Sequence, residues 1–187
     1  MRKLILIKHA KPQVVDEVPS HEWGLSEEGR QACGRLAEVV RRHDPAAIVT
    51  SQEPKAKETG QLLAQALGKP ATELAGLREH DRSNVPLMPP RDFISMMALL
   101  FKQRDRLVLG GETAEQAARR FHEAIDSVLA AHPAGNVAVV THGTVLALFA
   151  AEHGSGDPFL LWREMGLPSV SVFRVPGYVP LETLKRI

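Results

Sequence analysis

Apolar residues in this chain come in short unbroken runs, and two of those runs break on a histidine. Leu4-Ile5-Leu6-Ile7 leads into Lys8-His9, and Val137-Ala138-Val139-Val140 leads into Thr141-His142-Gly143. Four apolar residues in a row suit strands buried on both faces of a parallel sheet, and ligands gather at the carboxyl ends of such strands. The two imidazoles are therefore expected to meet in one site. Ser26 is placed to cap a helix with Glu27 and Glu28 in its first turn and Leu36, Val39 and Val40 at helical spacing. Arg41, Arg42 and His43 lie near its end, and the helix should cover the sheet. Ala46 to Thr50 reads as a second strand. Pro54 then opens a helix through Leu62, Leu63 and Leu67 that stops at Gly68, and Ala71 to Ala75 reads as a third strand.

The stretch from Glu79 to Leu109 breaks this rhythm. Pro86, Pro89 and Pro90 precede Phe93, Met96, Met97, Leu99, Leu100 and Phe101, which together suggest a small helical insertion. Met88, Met96, Met97, Phe93 and Phe101 either pack that helix onto the domain or line a lid, and an apolar lid over a polar pocket favours a substrate with a nonpolar group. Thr113 and Gln116 fit a capping box for a helix carrying Ala117, Phe121, Ile125, Val128 and Leu129 at core spacing. After the strand that ends at His142 come a helix over Val145 to Glu152 and late strands over Val170 to Val175 and Leu181 to Ile187. Without repeats, low-complexity segments or a linker, the pattern gives an α/β three-layer sandwich with a mostly parallel central sheet. It is expected to form a single domain over residues 1–187, with 79–109 a lid-like insertion over the active site.

Composition narrows the function classes. A chain of 187 residues buries roughly 70% of its unfolded surface as one domain without staples. Cys33 is the one cysteine, so an intrachain disulfide is excluded and a reducing cytoplasm is the natural setting, with Cys33 a small packing residue. A net charge of +1 supplies no global field for nucleic acid. The apolar run after Met1-Arg2-Lys3 is too short for a secretory signal, and Val145 to Ala151 is far short of the ~20 residues of a membrane span. A soluble monomer or homodimer is expected, and any attraction to an anion must be local.

Local attraction has a source at the strand ends. Lys8 and His9, Ser51 to Lys55, Glu79 to Arg82, and His142 with Gly143 each follow a strand. Converging at one edge, they supply two imidazoles, several cations and carboxylates, a set suited to holding and moving a phosphate. Gly143 opens a helix, whose free N–H groups and positive dipole end favour an anion. No His-Glu-x-x-His spacing or thiolate cluster occurs, so neither metal nor other cofactor is expected. His21, His43, His122, His132 and His153 read as surface or helix-end residues.

Six stretches, in order, resemble the histidine phosphatase, or phosphoglycerate mutase-like, superfamily. They are Lys8-His9-Ala10, Leu25-Ser26-Glu27-Glu28-Gly29-Arg30-Gln31-Ala32, Ser51 to Gly60, Leu77-Arg78-Glu79, Gly110-Gly111-Glu112-Thr113 and Val140-Thr141-His142-Gly143. The resemblance implies that His9 attacks phosphorus and becomes phosphohistidine, which water hydrolyses. His142 would be a phosphate donor, and Glu79, with Asp81 in reserve, the proton donor to the leaving alcohol. Lys8, Lys55, Gly143 and Arg82 would bind phosphate, with Arg82 or Lys11 restoring contacts. Lys8 and Lys55 stand where the family has arginines, keeping charge but losing the planar fork that grips two oxygens. A phosphomonoesterase acting on a small phosphorylated metabolite is expected. The alternatives are a pseudophosphatase that binds a phosphorylated ligand and a protein phosphohistidine phosphatase. A mutase is disfavoured because mutases of the family carry a longer insertion and an arginine where His80 stands.

Overall fold

The structure is a computed structural model describing every residue from Met1 to Ile187. The chain runs β1 (Arg2–Lys8), α1 (Glu27–Arg41), β2 (Pro45–Thr50), α2 (Pro54–Leu67), β3 (Ala71–Glu73), α3 (Pro90–Lys102), α4 (Ala114–Ala131), β4 (Asn136–Thr141), α5 (Gly143–Glu152), α6 (Pro158–Glu164), β5 (Ser169–Val175) and β6 (Val179–Leu184). The strands form one sheet in the order β3-β2-β4-β1-β5-β6. β2 pairs parallel with β3 and β4, and β1 parallel with β4, while β5 is antiparallel to both β1 and β6. Only β5 therefore runs against the rest, and the sheet is mostly parallel, as expected.

Side chains alternate across a strand, so each central strand feeds two cores. Leu4, Leu6, Val137 and Val139 pack with Met97 and Leu100 of α3, Phe121 of α4 and Leu146 of α5. Ile5, Ile7, Ala138 and Val140 pack on the other face with Leu36 and Val40 of α1 and Leu63 of α2. That division makes the three layers. Residues Gly143 to Ala150 of α5 are buried all round, which an almost uninterrupted apolar sequence requires. The caps follow the sequence: Ser26 accepts from the Gly29 N–H, and Thr113 and Gln116 bond reciprocally.

The strands β3 and β6 shift their bounds, and one helix is added. β3 stops at Glu73, short of the expected Ala75, because Ala75–Leu77 turn into a short 3-10 helix. β6 starts at Val179 and ends at Leu184, since the tight turn at Gly177 and Tyr178, both at positive φ, fixes its register on β5. Helix α6 was not expected; Asp157 accepts from the Leu160 N–H at 2.9 Å and Pro158 sits at its first position. Sequence carried that start signal in Asp157-Pro158.

Glycine at 29 positions the loop after His9. A Cβ there would lie 2.2 Å from the Lys11 carbonyl oxygen, which already accepts from the Ser26 N–H and hydroxyl. Gly29→Ala is expected to destabilise the fold by about 1–3 kcal/mol, because the obstacle is backbone and cannot rotate away. Chemical denaturation measures this, and an unchanged midpoint would refute the close approach.

Candidate active site

The connections leaving β1 and β4 set the location. The chain after β1 leads to α1 on one face, while the chain after β4 leads to α5 on the other, although β1 and β4 are neighbours. A crevice opens where adjacent parallel strands diverge in this way. His9 and His142 stand at its floor: Lys8 pairs with Thr141, and the His9 N–H donates to the Thr141 carbonyl at 3.0 Å. Their rings lie 5.2 Å apart, centroid to centroid, so the two strand-end histidines do meet.

His9 is buried, and its Nδ1 is 2.7 Å from the Ala10 carbonyl oxygen. A carbonyl only accepts, so Nδ1 carries the hydrogen and Nε2 keeps its lone pair. Thr59 holds this arrangement by accepting from the Ala10 N–H at 3.1 Å and donating to the Lys55 carbonyl at 2.7 Å. Burial, then the neighbouring His142 and Lys55, hold His9 well below the usual imidazole range, so it is neutral. Burial likewise takes His142 down to about 3, against the pull of Glu79 and with the help of Lys55 and Arg82. His142 Nε2 lies 2.8 Å from the Ser51 hydroxyl, and its buried Nδ1 has no partner in the protein.

Glu79 follows the 3-10 turn and reaches the start of α5. Its carboxylate accepts from the N–H groups of Thr144 at 3.0 Å, Val145 at 3.3 Å and His80 at 2.8 Å, and pairs with Arg82 at 3.3 Å. Burial alone would raise its pKa, but Arg82, His142 and the amides of Thr144 and His80 outweigh it and hold the carboxyl well below its ordinary range. Two of the first three amides of α5 thus serve Glu79, which narrows the expectation that this helix end waits for an external anion. Asp81 turns instead to Ser83, accepting from its N–H at 3.0 Å and hydroxyl at 2.7 Å, and these bonds lower its pKa.

Both lysines reach the crevice, and both already have protein partners. Lys8 donates to the Met165 carbonyl at 3.0 Å, crossing the end of α5 where a Cβ on Gly143 would come within 3.2 Å of its Cε. Burial takes its ammonium down to about 8. Lys55, buried, donates to the Ser20 carbonyl at 2.5 Å and to Glu53 at 2.8 Å. Arg82 donates to Thr144 Oγ1 at 3.2 Å besides holding Glu79, with its guanidinium 5.4 Å from the Phe93 ring centre. Lys11 pairs with Glu28 at the surface, so it does not restore a clamp contact.

Sequence reasoning missed Glu53. Its carboxylate takes Lys55, accepts from the Glu79 N–H at 2.8 Å and lies 3.5 Å from His142 Nε2. The signal was its position between Ser51 and Lys55, just after a strand end. Trp162 of α6 was also missed and lies beside Gly143. Of the lid candidates, Met88 and Phe93 line the cavity above the histidines, whereas Met97 and Phe101 are core residues. His21 is in the cavity wall, and His43, directly past the end of α1, is a helix-end residue that is buried, 3.5 Å from Glu182. Cys33 is buried in α1, as its packing role required. No helix is long and apolar enough to cross a membrane.

Known proteins resemble this chain in sequence and fold. An uncharacterized phosphatase of Bacillus subtilis, PhoE, is 26% identical over 136 residues, spanning 73% of this chain and 67% of its own. A Salmonella paratyphi A protein named "Probable phosphoglycerate mutase GpmB" is 24% identical over 94% of this chain and 85% of its own. Among solved structures, Bacillus stearothermophilus YhfR has a TM-score of 0.78 at 25% identity, covering 99% of this chain and 96% of that one. A mycobacterial glucosyl-3-phosphoglycerate phosphatase has a TM-score of 0.80 at 20% identity over the whole of both chains, a likeness of fold. Residues 4–180 match the profile of the histidine phosphatase superfamily, branch 1, and the chain belongs to that family.

Proposed function

We propose that the protein is a phosphomonoesterase that hydrolyses a small phosphorylated metabolite through phosphohistidine at His9. The observation that carries this is the Ala10 carbonyl on His9 Nδ1, which leaves Nε2 as a neutral nucleophile on the crevice floor. Nε2 attacks phosphorus as the bond from phosphorus to the leaving oxygen breaks, and Glu79 gives that oxygen its proton. Water then attacks phosphorus, the N–P bond breaks, and Glu79 takes the water proton. The unpartnered His142 Nδ1, Lys8, Lys55 and the amide of Gly143 meet the phosphoryl oxygens, and Arg82 contributes by holding Glu79. Fixed donors aimed at those oxygens stabilise the charge that develops there. Segment 79–109 would act as the lid, in a cytoplasmic monomer or homodimer that needs no metal.

A second reading has its own support. Lys55 is neutralised by Glu53 and tied to Ser20, which fits a pocket that binds a phosphorylated ligand without turning it over. Mixing the protein with p-nitrophenyl phosphate and quenching in base decides between them. Turnover with acid-labile phosphate on His9 supports the enzyme; ligand binding without either supports the binding protein.

Lys8 gives the site an alkaline limit. Its ammonium is charged below pH 8 and lost above it, so affinity for inorganic phosphate is expected to fall by up to about tenfold per pH unit above 8. Binding near that pH should take up a proton, because the anion favours charged Lys8. Calorimetry in buffers of different ionisation enthalpy measures both effects. Lys8→Arg should remove the alkaline fall, since guanidinium keeps its charge; an identical fall in that variant would assign it elsewhere.

A further inference from the structure

The cavity above His9 and His142 holds 1160 Å³, more than the roughly 300–1,000 Å³ of ordinary ligand pockets and far more than one phosphate needs. Its walls are unlike its floor. On one side the Trp162 ring lies against the first residue of α5, with Cδ1 3.4 Å from where a Gly143 Cβ would be, and Phe93 meets it edge-on at 5.9 Å between centroids. Phe159 stacks on Trp162 from behind at 6.2 Å, which fixes the slot. Trp23 also lines the cavity, held by its indole N–H, which donates to the Val18 carbonyl at 2.8 Å. The group carried by the phosphate thus leaves the floor past aromatic side chains.

Charge around the cavity points the same way. Asp16, Glu17, Glu22, Glu53, Glu79 and Asp81 line it, against Lys8, Lys55, Arg78 and Arg82. Three of those cations belong to the floor. The fourth, Arg78, touches Glu112 at 3.2 Å, a carboxylate that Arg120 also holds at 2.6 Å, so Arg78 is the one cation above the phosphate site. Asp16, Glu17 and Glu22 sit together on the loop at the mouth. A second phosphate or a carboxylate on the substrate would meet these three carboxylates against the single guanidinium of Arg78.

Building on the phosphomonoesterase reading, we propose that the substrate is a monoester of a bulky apolar or aromatic alcohol that is neutral or cationic. It carries one phosphoryl group and no second anion, and Trp162 and Phe93 hold its apolar part. Polyanionic metabolites are disfavoured by the acidic mouth, whose three carboxylates outnumber Arg78.

Three aryl phosphates with near-identical phenol leaving groups isolate the charge: 4-ethylphenyl phosphate, phosphorylated tyramine and 4-(carboxymethyl)phenyl phosphate. At low salt, kcat/KM for the carboxylate ester is expected to be at least about tenfold below that for the other two. Replacing the three mouth carboxylates together, Asp16→Asn, Glu17→Gln and Glu22→Gln, should close most of that gap. Trp162→Ala should raise KM for the ethylphenyl ester about tenfold, with a smaller change in kcat. Equal or better turnover of the carboxylate ester, or a mouth variant that leaves the gap intact, would overturn the proposal. Failure of all three esters to turn over or to phosphorylate His9 would remove the phosphomonoesterase reading, and this one with it. Turnover with the wrong preference removes this one alone.

Discussion

His9→Ala is expected to lower kcat/KM for p-nitrophenyl phosphate by about three orders of magnitude or more, with no phosphoenzyme trapped. The size of the effect follows from His9 being both nucleophile and carrier of the intermediate. Removing the ring leaves the fixed donors but nothing for phosphorus to bond to except water. Alanine also orphans the Ala10 carbonyl that now accepts from Nδ1, so His9→Asn, which keeps a donor near that carbonyl, should show the same loss with less structural disturbance. Both variants are checked by thermal melting. His142→Ala should lose less, about one hundredfold, because one donor among several is removed. If either folded His9 variant keeps more than about a tenth of an active wild type's rate, phosphorus is not attacked from His9.

The histidine pair was legible in the sequence because it follows from local pattern alone. Apolar runs of four fix buried parallel strands, and the first residues after such strands must lie on the sheet's carboxyl edge. The layers were legible for the same reason, since Ser26, Thr113, Pro54 and Gly68 mark helix ends through backbone chemistry each residue carries with it. Partners across the crevice were not legible. That Lys55 would be held by Glu53 and Ser20, or that Glu79 would take the amides of Thr144 and Val145, depends on how loops distant in sequence fold over one another. Trp162 lay hidden for a related reason: α6 has seven residues, too few to show a periodic face. Lysine in place of arginine was readable as a change in geometry, but the neutralising carboxylate beside it was not.

Glu79→Gln is expected to slow an alkyl phosphate far more than a nitrophenyl one. A general acid in the right place contributes about 10²–10⁴-fold when the leaving oxygen needs a proton. An alkoxide leaves poorly without that proton, whereas nitrophenolate needs none. The first turnover, read as the burst of nitrophenolate, should therefore fall by less than about tenfold, while release of the alkyl alcohol should fall by the full factor. Arg82 and three amide N–H groups keep Glu79 ionised, so its proton must come with the substrate. A phosphate monoester loses its second proton at roughly pH 6, so alkyl ester hydrolysis should decline as pH rises through that value, before Lys8 discharges near 8. Asp81→Asn is the control. With its carboxylate turned to Ser83, it should leave the ratio of alkyl to nitrophenyl rates unchanged. Were Asp81→Asn to lower the alkyl rate selectively, or Glu79→Gln to slow both esters alike, the proton would reach the leaving group by another route, and Glu79 would be a carboxylate that only orders the start of α5.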